Sequence, residues 1–307
     1  MTRMARTFLV TLGTVISLAA AGACDRLPAE SPMTTVPQDE ATSWHFRYET
    51  HDHPRLRELA AREHLEDLID PEATPFEQIV RVREWVSGQW PSGTPNPYPP
   101  WDALVILDWI RAGTTGGFCG QYAQVFLQSL AALGFTARYV EIGSVDNPYA
   151  HFVTEVWTPD FDKWVLMDAD YDLHFEHDGI PLSALEIHDA LMAGEADALS
   201  VVHRPTREGH SDPARWPLGT AELYHYVRFF LKADHLSRPD EPPFDRHADM
   251  VEWLDARVVP WAQSEAESPY PKEQLTQQET DDRTVIEAPP DAAGLDGPSS
   301  GQAAGQS

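Results

Sequence analysis

Gly116-Gly117-Phe118-Cys119-Gly120-Gln121-Tyr122-Ala123 leads, within a few turns of chain, to Leu133-Gly134-Phe135-Thr136-Ala137-Arg138-Tyr139-Val140. The double glycine ends the preceding pattern. From Cys119 an apolar stripe of Ala123, Phe126, Leu130 and Leu133 follows at alternating spacings of four and three. That spacing predicts a helix over 119–133, with Gly134 as its stop. Three strand-like runs come next, 136–142, 151–157 and 163–169. Upstream, 54–63, 75–89 and 101–110 read as helices and 43–49 as a weak strand. Downstream, 182–193, 220–231 and 250–258 read as helices. Helices followed by antiparallel strands make an α+β layout.

Cys119 falls in the first turn of its helix. Unsatisfied N–H groups and the positive helix end favour a thiolate there, and the thiolate is the attacking form of the residue. The adjoining N–H groups of Cys119 or Gly120 are placed to receive an oxyanion. The glycines leave room for a substrate to approach the sulfur. The competing reading is a buried filler cysteine.

A thiolate needs a proton partner, and the partner needs orienting. Alternation puts His151, Val153, Glu155 and Trp157 on one strand face, and Trp164, Leu166 and Asp168 on one face of the next. With 158–161 as the hairpin loop, Trp157 pairs with Asp162 and His151 lies directly opposite Asp168. Their Cβ atoms would then be about 5 Å apart, close enough for a carboxylate to hold an imidazole N–H. Asp170 shares that face diagonally. Glu155 reads as a structural partner of Arg138.

The glycine–cysteine–helix segment resembles the transglutaminase-like family. So do Leu133 to Val140 behind it, His151-Phe152-Val153-Thr154-Glu155-Val156, and Trp164-Val165-Leu166-Met167-Asp168. The resemblance covers about 70–175. It implies a papain-like fold with Cys119 as nucleophile, His151 as general base and acid, and Asp168 as orienter. It also implies an oxyanion-assisting side chain upstream of the cysteine, for which Gln89, Trp90 and Trp101 are the candidates beside Gly120. The family's usual Asp-Pro-Thr after the tryptophan is Asp168-Ala169-Asp170 here.

The ends read differently from the middle. Arg3 and Arg6, the apolar run Phe8 to Leu18 and the small residues 19–23 form an export signal. Ala21-Gly22-Ala23-Cys24 resembles the bacterial lipoprotein cleavage box, which makes Cys24 a lipidation site and the protein lipid-anchored in the cell envelope. Ordinary cleavage after Ala23 would leave it periplasmic or secreted. Residues 24–41 read as a flexible tether, 42–175 as a transglutaminase-like core, 176–261 as a helical C-terminal extension, and 262–307 as a disordered acidic tail.

Twenty-two basic against 49 acidic residues give a formal charge of −27, which argues against nucleic acid as a partner. An acidic surface mildly favours basic peptides. The only two cysteines exclude a disulfide scaffold. The run Asp168 to Asp172 opens like a calcium loop, but Leu173 and Gly179 stand at its sixth and twelfth positions, where Gly and Glu are needed. His174, His177, Asp178 and His188 lack zinc spacing. No metal and no cofactor are expected.

The expected activity is acyl transfer from a peptide or side-chain carboxamide through a Cys119 thioester. Water makes the protein a peptidase or amidase, and an amine makes it a transglutaminase. The alternative is a catalytically silent binding or scaffold lipoprotein with the same fold.

Overall fold

Four helices lie on one side of a sheet, the last of them against the strands and the other three packed on it, and their capping is written into the sequence. They are α1 (Pro54–Glu63), α2 (Pro75–Ser87), α3 (Ala103–Arg111) and α4 (Cys119–Ala132). The computed structural model describes residues 44–144, 151–205, 224–241, 249–258 and 278–290. Pro54 and Pro75 sit in the first turns of α1 and α2, where a missing N–H costs nothing. Thr74 and Glu77 form a reciprocal capping box at the start of α2, with bonds of 3.2 and 2.8 Å. Asp102 caps α3 by accepting from Val105 N at 3.1 Å.

Helix α4 is the hub. Every residue from Gln121 to Ala131 is buried, so polar side chains on it must find partners. Gln128 accepts from Ala103 N at 2.7 Å and donates to the Trp101 carbonyl at 3.2 Å. Tyr122 donates to the Trp90 carbonyl at 2.6 Å. These bonds hold the loops before α3 and after α2 against the helix that carries Cys119.

The chain then forms β1 (Ala137–Gly143), β2 (His151–Thr158), β3 (Lys163–Met167), β4 (Leu173–His177) and β5 (Ile180–Pro181). After these come α5 (Ala184–Met192), β6 (Leu199–His203), β7 (Tyr226–Phe230), β8 (Met250–Trp253), β9 (Glu279–Thr280) and α6 (Arg283–Glu287). The main sheet runs β3-β2-β1-β7-β8-β9, antiparallel except for β8 and β9. A smaller sheet runs β5-β4-β6. The fold is α+β.

Both faces of the main sheet are covered. Tyr139, Val156, Val165 and Met167 meet the helices Val82, Leu107 and Phe126 belong to. Val140, Val153, Leu166 and Phe229 point the other way, onto Phe175 and the α5 residues Leu185 and Ile187. Successive residues of one strand therefore feed two cores.

Several expectations need correcting. Residues 226–230 and 250–253 are strands, not helix, and they complete the main sheet beside β1. The core therefore does not end at 175, and among the described residues of 176–261 only α5 of the expected helices forms. Each of β7 and β8 is almost wholly buried, and a strand covered on both faces loses the alternation that marks it. The weak strand at 43–49 reduces to one bridge between Arg47 and Lys232. Within the tail expected to be disordered, 278–290 is ordered: Arg138 Nη1 donates to the Ile286 carbonyl at 2.8 Å and Trp164 Nε1 to the Ala288 carbonyl at 2.8 Å. The export signal, Cys24 and the tether lie outside the described residues.

Candidate active site

The turn into α4 is built by close backbone packing. A Cβ on Gly116 would lie 2.7 Å from the Thr94 carbonyl oxygen, and one on Gly117 would lie 2.6 Å from Trp90 Nε1. The glycines therefore serve the packing of this loop, where sequence reasoning had them opening room for a substrate. Phe118 is the extended N-cap, and Gln121 reaches back to accept from its N–H at 3.2 Å. Gln121 and Tyr122 donate their N–H groups to the Phe118 carbonyl at 2.9 and 3.1 Å. The N–H groups of Cys119 and Gly120 have no such partner among the described residues. Cys119 is half-buried and unpaired as a thiol.

The side chain of His151, the first residue of β2, lies close enough to Cys119 for the sulfur to favour its protonated form. Its Nε2 lies 2.7 Å from Asp168 Oδ2, with both side chains buried. The register differs from the expected one. Thr158 pairs with Lys163 and Trp157 with Trp164, so the strands are displaced by two residues. A two-residue shift keeps every side chain on its face, and Asp168 falls diagonal to His151. β3 ends at Met167, and Asp168 bridges to Leu173 in the turn that follows. Asp168 Oδ1 accepts from the N–H groups of Asp170 and Tyr171 at 2.9 and 3.0 Å, which aims its other oxygen at the imidazole. The Tyr171 ring meets His151 edge-on at 5.5 Å. Burial opposes a charge on His151, but Asp168 and then Cys119 outweigh it and lift the imidazole well above its ordinary value.

Two neighbours escaped sequence reasoning. Arg83 of α2 is buried, with Nε 2.9 Å from Asp172 Oδ1 and Nη1 2.7 Å from His174 Nδ1. Arginine only donates, so His174 Nδ1 accepts, and its Nε2 donates to Glu176 at 3.0 Å. Burial, followed by the Arg83 charge, pushes His174 down to about 4. Arg83 thus pins the turn that presents Asp168. The available signal was an arginine on the apolar stripe of Ile79, Val82 and Val86. Tyr98 is the second: its hydroxyl lies 3.3 Å from where a Cβ on Gly120 would be.

The three upstream oxyanion candidates are placed elsewhere. Trp90 Nε1 faces the Gly117 carbonyl at 3.4 Å, and its ring stacks on Tyr122. Gln89 bonds the Trp85 carbonyl and Arg111. The Trp101 ring packs edge-on against Tyr139 and Phe152. Gly120 remains beside the sulfur. Glu155 does bind Arg138, at 2.9 and 2.7 Å.

The four residues of the loose His/Asp cluster are dispersed. His188 bonds Asp255 at 2.8 Å and the Tyr224 carbonyl, while His174 belongs to the Arg83 network. His188, Asp189 and Asp255 bring one ligand atom each within 4.8 Å of one another. Arg257 and Arg283 already occupy those carboxylates.

Residues 62–169, which hold Cys119, His151 and Asp168, match the transglutaminase-like superfamily. This stretch is a transglutaminase-like superfamily domain. The family supports thiol-enzyme chemistry in general terms. No curated protein matches the chain. Among solved structures, a candidate cysteine protease from Cytophaga hutchinsonii matches at 16% identity and a TM-score of 0.30. The match covers 57% of this chain and 54% of that one, so this chain spans about half the length of the structure it matches. The matched stretch ends at Ala169, so Asp172 and His174, the partners of Arg83, lie just beyond it in the sequence.

Proposed function

We propose that the transglutaminase-like domain is a thiol-dependent acyl-transfer enzyme acting on peptide or side-chain carboxamide bonds. The observation that carries this reading is a single imidazole that bonds a buried carboxylate at 2.7 Å and lies within electrostatic reach of a thiol. His151 takes the Cys119 proton as the sulfur attacks the carbonyl carbon. Negative charge moves onto the carbonyl oxygen, which the Cys119 and Gly120 N–H groups receive. The tetrahedral centre collapses, the C–N bond breaks, and His151 returns the proton to the leaving amine or ammonia. A water or a primary amine, deprotonated by His151, then attacks the thioester. Thiol and carboxylic acid, or thiol and new amide, are released. Asp168 keeps the imidazole in one tautomer and orientation through both halves.

The same proposal includes export, with a lipid on Cys24 anchoring the protein to the cell envelope. Mass spectrometry of the mature N-terminus tests it: a diacylglyceryl-modified Cys24 supports the anchor, and an unmodified Cys24 overturns it.

The activity is tested by incubating the protein with a glutamine-containing peptide library, with and without a primary amine. Mass spectrometry separates hydrolysis, deamidation and cross-linking. Turnover by the native protein and none by Cys119→Ala is expected. Equal turnover by both would remove Cys119 from the chemistry, and no turnover by either would leave a silent binding protein.

A further inference from the structure

A groove of about 730 Å³ lies beside the cysteine helix, lined by Tyr98, Pro100, Trp101, Val105, Trp109 and Leu236 among others. Its size is that of a small-ligand or peptide-side-chain site. Val105 and Trp109 are one turn apart on α3 and present one face.

Tyr98 links the groove to the candidate active site, since it lines the one and its hydroxyl lies 3.3 Å from where a Cβ on Gly120 would be. The Tyr98 ring meets that of Phe118, the residue before Cys119, at 6.5 Å. Both rings are unusually open for their size, at 51% and 40% exposure. Apolar surface therefore extends from Trp109 through Tyr98 to Phe118, the residue before Cys119.

The charges on the rim are already spent within the protein. Arg55 donates to Asp102 at 2.7 Å and to Glu58 at 2.8 Å. Glu241 holds Arg47 at 3.0 Å and Lys232 at 3.4 Å. His235, on the same wall, is pushed down to about 4, mainly by burial, and is neutral at physiological pH. Among the described residues, the carboxylates on this rim, Asp102 and Glu241, are both already paired, so neither is free to favour a cationic ligand.

We infer that this groove takes an extended polypeptide whose residue next to the reacting carboxamide is neutral and apolar, aromatic side chains above all. Such a residue covers Tyr98 and Phe118 and fills the space over Val105 and Trp109, whereas a charged one loses hydration with no ion to pair with. This reverses the preference for basic peptides that composition alone suggests. It rests on the acyl-transfer reading only for the position of the carboxamide; binding in the groove stands apart from turnover.

The test uses full-length Cys119→Ala and blocked peptides of the form acetyl-Ala-X-Gln-Ala-Ala-amide, with X as Phe, Glu or Lys, titrated by calorimetry. The Phe peptide is expected to bind at least about tenfold more tightly than the other two. Val105→Glu, which sets an unpaired carboxylate in the groove, should lower Phe binding about tenfold and raise Lys binding. If that variant does not fold, Trp109→Ala on the same face is read for the same loss. Equal binding of the three peptides, a Lys or Glu preference in the unmodified groove, or no binding overturns the inference. Selective binding without turnover by the native protein would instead count against the acyl-transfer reading while the groove stands.

Discussion

Asp168 reaches His151 from just beyond the end of β3, with Oδ2 2.7 Å from Nε2, although the ladder does not pair the two residues. The carboxylate is aimed by the N–H groups of Asp170 and Tyr171, so the turn after β3 sets its direction. Asp168→Asn keeps the shape but loses the charge and the strict acceptor. Turnover, once a substrate is found, should fall by about a thousandfold, with the loss in kcat more than in KM. The native His151 value is raised, so its contribution to stability is present below its ordinary value near 6.5 and is lost as pH rises through the raised value. Thermal melts should therefore show the gap between native protein and Asp168→Asn narrowing in alkali.

Acid should act through His174. The unfolded imidazole gains a proton near 6.5 and the native one only near 4. Stability from this group is full above 6.5 and falls as pH drops toward 4, by on the order of 2–3 kcal/mol. Glu49, raised to about 7 by burial, works in the opposite sense as pH rises from 4.5 to 7. That contribution cancels when the native protein is compared with His174→Gln. Denaturant melts at pH 7 and 4.5 should show the variant losing less stability than the native protein.

The Gly116-Gly117 turn tolerates no side chain. Gly116→Ala drives a methyl into the backbone of Gly93 and Thr94, and Gly117→Ala into the buried Trp90 ring and Ile110. Each should lose about 1–3 kcal/mol, measured by urea unfolding. Gly134→Ala meets open space and carries only the strain of its φ of 87°; its loss should be nearer 1 kcal/mol, about that of a left-handed non-glycine residue.

The segment 278–290 is an anchor point for the sheet. Ile286 is fully buried between Arg138 and Trp164, and its carbonyl receives Arg138. Ile286→Ala should lower stability by about 2–4 kcal/mol in the same unfolding assay. A change below about 0.5 kcal/mol, the range of ordinary surface substitutions, would mean the segment is not held.

How much of this was legible depends on how local the signal is. The helix from Cys119 and the strands β1 to β3 follow one another with short links, and their periodicity and glycine stops are visible directly. The faces of His151 and Asp168 could be read from alternation, but not the register, because loops of matching parity place the same faces together. β7 pairs with β1 across a long stretch of chain, and its buried run Tyr226–Phe230 carries no alternation to separate it from helix. Arg83 and Tyr98 were missed because each acts at the site through contacts between distant segments. The anchor at Ile286 was hidden within a polar, proline-rich tail, where composition outweighs one isoleucine.

The pairing of Cys119 with His151 is the point on which the chemistry turns, and it can be measured without a substrate. Iodoacetamide alkylation of Cys119 at pH 6, followed by intact mass, reads how readily the sulfur gives up its proton. In native protein the rate should exceed that of His151→Ala by about tenfold or more, with both variants folded by circular dichroism. Equal rates in the two proteins, or a native thiol that reacts only after unfolding, would contradict the pairing.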